Sequence, residues 1–244
     1  MKSKKTLVVV LIVVGAGLAL LACCPCGGLL TAPIVNRAIV AVRVAATEAT
    51  IKNLGAGLEA FKMDWGAYPP SSAKFQGARK HGSENLTYYL MGPEGNGWGL
   101  PANGATPFGG QAQQVFGPYY RINSKNPAVP ESDITDAFKP AKPILYFRFN
   151  RDRDPPYDVR DNPTDQNGFK CFASQEHFEM LVRPKDPEGN RKWVQEDYLL
   201  ISPGADRWYG HVVEDAVTHQ LRPARPEEIE SGAAMCDDIT NFRH

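Results

Sequence analysis

Residues 34–66 read IVNRAIVAVRVAATEATIKNLGAGLEAFKMDWG, and this run decides the fold. Apolar residues recur in it mostly at steps of three, four or seven: Ala38, Val42, Ala45, Ala49, Leu54, Leu58, Phe61 and Trp65. The opposite side carries charges: Arg37, Arg43, Glu48, Lys52, Glu59 and Lys62. This spacing predicts an amphipathic helix over 34–64, the spine of the domain. Gly66 is expected to end it, because the following Tyr68-Pro69-Pro70 cannot continue a helix.

The segment before this helix, residues 1–33, is predicted to be a membrane anchor or signal segment. Lysines at positions 2, 4 and 5 precede an uncharged run from Thr6 to Ala22. Because cations stay on the cytoplasmic side, we expect a single pass through a bacterial cytoplasmic membrane. The C-terminal domain would then lie outside the cytoplasm, in the periplasm or at the cell surface.

Three fates of this N-terminal segment stay open: a retained anchor, a cleaved signal peptide or a lipoprotein signal. Leu20-Leu21-Ala22-Cys23 resembles a bacterial lipobox, in which Cys23 would be lipidated. The alternative is that Cys23, with Cys24 and Cys26, is a small apolar residue in the outer half of a membrane span.

Composition points away from nucleic acid and towards a loop-rich head. Lys+Arg and Asp+Glu both number 27, and no basic run follows Lys5, so no nucleic-acid partner is expected. The 20 prolines and 22 glycines lie mostly after residue 66. They favour a globular domain over 67–244 with short strands and with loop insertions at 92–118 and 151–168.

The expected fold class is α+β. A short helix is predicted from Ser83 to Leu90, and four strands follow it: Tyr119–Ile122, Ile144–Phe149, Glu179–Arg183 and Tyr198–Ile201. A long helix followed by short strands, without alternating helix–strand units, indicates an antiparallel sheet. The spine helix would cover one face of that sheet.

Few residues indicate chemistry. Cys171 and Cys236 are the cysteines of the soluble part, and outside the cytoplasm they are predicted to form a disulfide; two separate buried thiols are the alternative. Neither a zinc-helix histidine pair, a nucleophile elbow nor a phosphate loop occurs, so an enzyme is not expected. Trp98, in a Gly/Asn loop, is the best candidate for an exposed functional aromatic.

Three stretches, in chain order, carry a family resemblance. Residues 58–69, LEAFKMDWGAYP, end the helix; residues 136–146 contain DAFKP and PILY; and LISPGAD, at 200–206, pairs with CDDITNF, at 236–242. Together they resemble the type II secretion pseudopilins, a type IV pilin-like family, and the last pair resembles the two halves of the major pseudopilin's calcium loop. The usual prepilin cleavage glycine and the following glutamate are missing beside Lys5-Thr6-Leu7.

The resemblance implies a pilin-like fold: a long N-terminal membrane-anchored helix packed on a small antiparallel sheet. It implies calcium as the cofactor, with Asp206, Asp237 and Asp238 as ligands and Leu200 or Ser202 contributing a backbone or hydroxyl oxygen. Such oxygens suit Ca²⁺. The alternative is that residues 202–206 form a plain turn and that Asp237 and Asp238 cap a final helical turn.

The implied function is a structural subunit of an envelope filament or secretion apparatus. Its partners would be the membrane and other pilin-like subunits, contacted through the N-terminal helix, in a homo-oligomer or filament. The alternative is a non-polymerising envelope lipoprotein or anchored binding module with a pilin-like fold. The missing glycine and glutamate favour the alternative, whereas the helix and the C-terminal motifs are neutral.

Overall fold

The computed structural model describes residues 27–72, 81–100, 104–121, 133–164 and 170–242. The chain divides into two compact units, Met1–Val42 and Arg43–His244. The predicted membrane segment from Thr6 to Ala22 and the predicted lipidation site Cys23 lie outside the described residues. Within the described part, no helix combines the length and the apolar character that crossing a bilayer requires.

The spine helix, α1, spans Gly27–Trp65, so it begins seven residues before the predicted start. Its end is as predicted: Gly66 takes a φ of +74°, and its N–H donates to the Lys62 carbonyl over 2.8 Å. A glycine in this conformation satisfies a carbonyl that the helix itself leaves without a partner. Gly57 lets another backbone approach, because a Cβ there would lie 2.7 Å from the Tyr119 carbonyl oxygen.

The buried face of α1 in the second unit differs from the predicted face towards its N-terminal side. Ala45 and Ala49 are exposed, and Thr47 and Ile51 are buried instead. From there the buried positions advance in steps of three and four: Thr47, Ile51, Leu54, Leu58 and Phe61. The small alanines gave no strong signal, so the bulkier side chains set which face turns inward.

The remaining described elements are two small antiparallel sheets, three short α-helices and one turn of 3-10 helix, Val159–Asp161. The helices are α2, Gly82–Met91; α3, Gln175–Val182; and α4, Pro226–Glu230. Strands β1 (Leu145–Arg148), β2 (Tyr198–Ser202) and β5 (Ile239–Thr240) form one sheet in the order β1-β2-β5. Strands β3 (Val212–Glu214) and β4 (Leu221–Pro223) form a hairpin. The described part is therefore α+β, as predicted.

Alternation along β1 and β2 divides the hydrophobic core between the two faces of the larger sheet. Tyr146 and Leu200 belong to one buried cluster with Leu54, Leu58 and Phe61 of α1. Residues of opposite parity, Leu145, Phe147, Leu199 and Ile201, belong to a second cluster with Phe178, Leu181 and Val182 of α3. The sheet is thus buried on both faces, and α1 covers one of them.

The α3 helix replaces a predicted strand. Glu179–Arg183 was expected to be a strand, but its first four residues complete α3. The start signal is local: the Ser174 hydroxyl accepts the His177 N–H over 3.1 Å. Such a cap favours a helix at this position. The apolar side chains of Phe178, Leu181 and Val182 then follow at helical spacing. The stretch 179–183 alone is too short to distinguish this spacing from that of a strand.

Two aromatic predictions are also wrong. Residues 119–121 form no strand. Tyr119 instead donates its hydroxyl to Asp64 and accepts the Trp65 indole N–H, both over 2.8 Å, at the end of α1.

Trp98 is only 2% exposed, and its indole N–H donates to the Tyr89 carbonyl over 2.8 Å. A buried indole needs such an acceptor, so Trp98 is a core residue.

Candidate metal centre

The two halves of the acidic motif meet because they flank paired strands. Ser202 ends β2, Ile239 begins β5, and these two residues are antiparallel partners. The residues just after Ser202 therefore lie next to the residues just before Ile239. The turn that contains Asp206 and the segment that contains Asp237 and Asp238 come together in this way. We call Asp206, Asp237 and Asp238 the acidic cluster.

Gly204 makes the contact between these halves possible. It has a φ of +62°, and a Cβ at this position would lie 2.2 Å from the Asp237 carbonyl oxygen. With no side chain in the way, the Asp237 carboxylate accepts the backbone N–H groups of Ala205 (2.7 Å) and Asp206 (3.0 Å). One oxygen, Oδ2, takes both hydrogen bonds, and these bonds hold the C-terminal segment against the turn.

Asp238 has one satisfied oxygen and one unsatisfied oxygen. Oδ2 accepts the Gly210 N–H over 2.7 Å. Oδ1 is buried and accepts no hydrogen bond from any described residue. Burial, reinforced by the Asp206 and Asp237 carboxylates, raises the pKa of Asp238 well above its usual range. Such an oxygen costs free energy unless a proton or a cation compensates it.

Asp206 completes the cluster. Its Oδ1 accepts the Trp208 N–H over 2.8 Å. Burial, together with the adjacent Asp237 carboxylate, raises the pKa of Asp206 to about 7. Two carboxylates this close repel each other when both are ionised. The acidic cluster therefore concentrates negative charge that no arginine or lysine side chain neutralises through a described ion pair.

The other two predicted calcium ligands are used elsewhere. The Ser202 hydroxyl donates to Asp136 over 3.2 Å. The backbone of Leu200 pairs with Asn241, whose side chain accepts the Leu200 N–H over 2.6 Å and whose N–H donates to the Leu200 carbonyl over 3.3 Å. The structure thus groups the three aspartates but not these two residues.

A second group of polar residues, which sequence reasoning did not find, lies beside the acidic cluster. Arg207 donates to the Asp136 carboxylate over 2.6 Å and to the Gly204 carbonyl over 2.9 Å. Asp136 also accepts the N–H groups of Phe138 and Lys142. We call Asp136, Ser202 and Arg207 the buried ion-pair cluster. No spacing rule links positions 136 and 207. The only signal for their contact is the general need of a buried acid for a partner.

No protein-family model, curated protein or solved structure matches this chain. Within the described residues, no three histidine, cysteine, aspartate or glutamate side chains converge as a ready-made metal site. The acidic cluster supplies carboxylate oxygens, the ligand type that Ca²⁺ prefers, and one of them is buried without a donor. A cation would compensate the negative charge that burial and, to a smaller extent, the neighbouring carboxylates disfavour, the two causes of the raised pKa values of Asp206 and Asp238.

The predicted disulfide is not formed in the structure. Cys171 is buried in the core cluster that contains Phe172 and Tyr209, whereas Cys236 is exposed directly before Asp237. The alternative of two separate buried thiols fits Cys171 but not Cys236, which is exposed. Between Asp206 and Asp237 the chain forms the β3–β4 hairpin and α4, an insertion that the sequence did not predict as structured.

Proposed function

We propose that this protein is a structural, non-enzymatic pseudopilin-like subunit of a bacterial envelope filament or secretion apparatus. The N-terminal segment anchors it in the cytoplasmic membrane, and the α+β head faces outward. One observation carries the proposal: the two separated halves of the loop that resembles the pseudopilin calcium loop lie together, held by the Asp237 hydrogen bonds to Ala205 and Asp206.

The other resembling stretches support the same proposal. The residues that end α1 pack into the head: Trp65 and Asp64 hydrogen-bond with Tyr119, and Tyr68 is buried in the α1-side core. Asp136, from the second stretch, contacts the turn after β2 through Arg207. The first stretch thus packs into the head at the end of α1, and the second and third meet at the turn after β2, which supports the proposal.

Calcium is the proposed stabiliser of this head. Asp206, Asp237 and Asp238 would hold it, together with backbone oxygens of the two segments. When bound, the ion supplies positive charge that compensates the three carboxylates. Its role is to fasten the C-terminal segment to the turn after β2, which stabilises the folded state by mass action.

The exposed apolar residues of α1 suggest how subunits would associate. In the first unit, Val35, Ile39 and Val42 are exposed. Apolar side chains left in water on a helix favour packing against another helix. These residues are proposed as the contact between copies of the chain.

Photo-cross-linking in membranes tests the proposal. A photoreactive phenylalanine analogue replaces Val42 in the full-length protein, expressed in a bacterial host, and replaces Val217 of the β3–β4 turn in a control. Val42 and Val217 are both exposed, at 69% and 87%. We expect self-adducts at multiples of the 26.8 kDa chain mass from position 42 only. Monomer alone from position 42, in protein that fractionates with membranes, contradicts the subunit role.

The second candidate function is the non-polymerising envelope lipoprotein. The observation that favours it is the absence of the cleavage glycine and of the glutamate around Lys5-Thr6-Leu7. Intact mass of the membrane-extracted protein separates the candidates. A chain cleaved before Cys23 and carrying lipid on that residue supports the lipoprotein, and a full-length chain supports a retained anchor.

A further inference from the structure

A cleft lies between the C-terminal end of α1 and the loop after β1. Its volume is 480 Å³, and Tyr68, Phe149 and Asn150 are among the residues that line it. Four cationic side chains reach it: Lys62, Arg148, Arg151 and Arg153. Two of them, Arg151 and Arg153, belong to the 151–168 insertion, to which neither the fold nor the proposed function assigns a role.

Two of these cations are neutralised within the protein. Lys62 pairs with Asp197, with 3.0 Å between Nζ and Oδ2. Arg153 forms ion pairs with Asp158 and Asp161, both of which are buried. The charges of Lys62 and Arg153 are therefore offset within the protein.

The other two cations have no such partner. Arg148 is half-buried at the end of β1 and Arg151 is exposed on the loop, and neither guanidinium makes a hydrogen bond or an ion pair with a described residue. Arg151 lies close enough to Asp197 to contribute to its lowered pKa, after the larger effect of the Lys62 hydrogen bond. An acid that lines the cleft, Asp152, is exposed. The guanidinium donors of Arg148 are used by no described acceptor, so they remain available to an incoming anion.

The cleft continues into a second, less polar hollow. That hollow measures 320 Å³, shares Phe149, Arg151 and Asp197 with the first, and adds Pro156 and Trp193. The Trp193 ring is held by the Arg183 guanidinium, which lies 4.9 Å from the ring centroid. One end of the groove thus offers guanidinium donors, and the other offers the rings of Phe149 and Trp193 beside the exposed Glu196.

We propose that this groove binds a peptide segment of a partner protein in which an acidic side chain lies next to an apolar one. The arginine guanidinium has a planar set of donors that matches a carboxylate with two hydrogen bonds. The neighbouring apolar side chain fills the hollow against Phe149 and Trp193. A volume of this size suits two or three side chains of an extended peptide and not a globular surface.

Arginine-detected NMR on the full-length protein in detergent micelles tests the proposal. The probe is a blocked peptide of sequence LELEF, and its matched control is LQLQF. We expect LELEF to shift the side-chain Nε–Hε resonances of Arg148 and Arg151, with a Kd of about 1 mM or tighter. Arg148→Gln should weaken binding at least tenfold, as seen at Arg151. Lys170→Gln, at an exposed lysine outside both hollows, should leave binding unchanged.

Three results would overturn the proposal. The first is the absence of any shift at about 10 mM LELEF, a concentration that would detect even weak binding. The second is equal binding of LELEF and LQLQF, which would remove the role of the carboxylate. The third is binding of inorganic phosphate as tight as that of LELEF, which would make the cleft a simple anion site. None of these results bears on the cross-linking outcome at Val42, so the two proposals fail separately.

Discussion

The carboxylates of Asp136 and Asp238 have opposite surroundings. Asp136 is fully buried, and its oxygens accept from Arg207, Ser202 and two backbone N–H groups. Asp238 has one buried oxygen without a donor, and its charged neighbours are the other acids of the cluster. We call the Asp136 contact finished, because its carboxylate oxygens have hydrogen-bond donors. We call the Asp238 contact unfinished, because one of its oxygens has no donor and is open to compensation by a cation.

Breaking the finished contact should have the largest effect. Asp136→Ala leaves Arg207, whose side chain is only 16% exposed, without its counter-charge. Removing one partner of a buried pair typically costs about 3–5 kcal/mol of unfolding free energy. We expect a large fall in the melting temperature of the full-length protein, measured by circular dichroism.

The matched control replaces both partners. In Asp136→Leu/Arg207→Met no buried charge is left alone, so the loss should be much smaller than the loss for Asp136→Ala. If the double variant is less stable than Asp136→Ala, the pair does not act as a unit, and the contrast with the acidic cluster fails.

Completing the unfinished contact should have the next largest effect. Calcium should raise the melting temperature, by an amount equivalent to about 2.7 kcal/mol when its concentration is one hundred times the Kd. Asp238→Asn removes the carboxylate whose Oδ1 has no donor, so it should abolish this rise. The same substitution should raise the melting temperature without calcium, because it removes repulsion from Asp206 and Asp237.

The control for this prediction is Glu94→Gln, which removes one exposed negative charge in a distant loop. Its calcium response should equal that of the parent protein. A parent protein whose melting temperature is the same in calcium and in chelator would remove calcium from the proposed function. The α+β fold and the buried ion-pair cluster would stand.

How far the sequence predicts this structure depends on the range of the signal. The 3.6-residue pattern that contains Leu54, Leu58 and Phe61 identifies α1 and its end at Gly66, and the apolar runs at 145–148 and 198–202 identify the central strands. Glu179–Arg183 was assigned to a strand because four or five apolar and charged residues fit either period. The Ser174 cap before them was the decisive signal for a helix.

The candidate site shows the same limit. Asp206, Asp237 and Asp238 could be grouped in advance only by a family resemblance, since residues 31 positions apart carry no periodic signal. Their proximity follows from the pairing of Ser202 with Ile239, which is a property of the sheet. Arg207 and Asp136 are 71 positions apart, and no short motif connects them. Trp98 is predicted to be exposed because it lies in a glycine-rich loop. The sequence does not indicate that the Tyr89 carbonyl accepts its indole N–H.

A smaller effect is expected in the pH dependence of the unfolding stability. The pKa of Asp206 is raised to about 7 from an ordinary value of 3.8, so between these values the folded state holds a proton that the unfolded state has released. Stability without calcium should therefore fall as the pH rises from about 4 to about 7. Asp206 is partly exposed, so solvent screening reduces the size of the fall.

Melting temperatures measured from pH 5 to pH 8 in chelator check this prediction. Asp206→Asn should reduce the fall, whose remainder belongs to Asp238 with its raised pKa, and Glu94→Gln should keep the fall unchanged. In calcium the parent protein should also show a flatter profile, because the ion compensates the charge that the proton otherwise removes. A parent profile in chelator that rises across this range would mean that the acidic cluster is not the group that titrates.

The smallest effect is expected at an ion pair that is complete but exposed. Lys62 and Asp197 are 3.0 Å apart, like a buried pair, yet their side chains are 41% and 51% exposed. The Lys62 hydrogen bond lowers the pKa of Asp197, so the stabilising contribution is present at neutral pH and is lost as the pH falls through that lowered value. Water solvates both groups well when they separate, so Asp197→Asn should leave the melting temperature at pH 7 almost unchanged. The Asp197 carbonyl still accepts the Phe149 N–H in this variant, which keeps the strand ends in register. The contrary result is that Asp197→Asn is as destabilising as Asp136→Ala. Distance and not burial would then determine how much an ion pair contributes to stability, and the contrast between Asp136 and Asp238 would lose its physical basis.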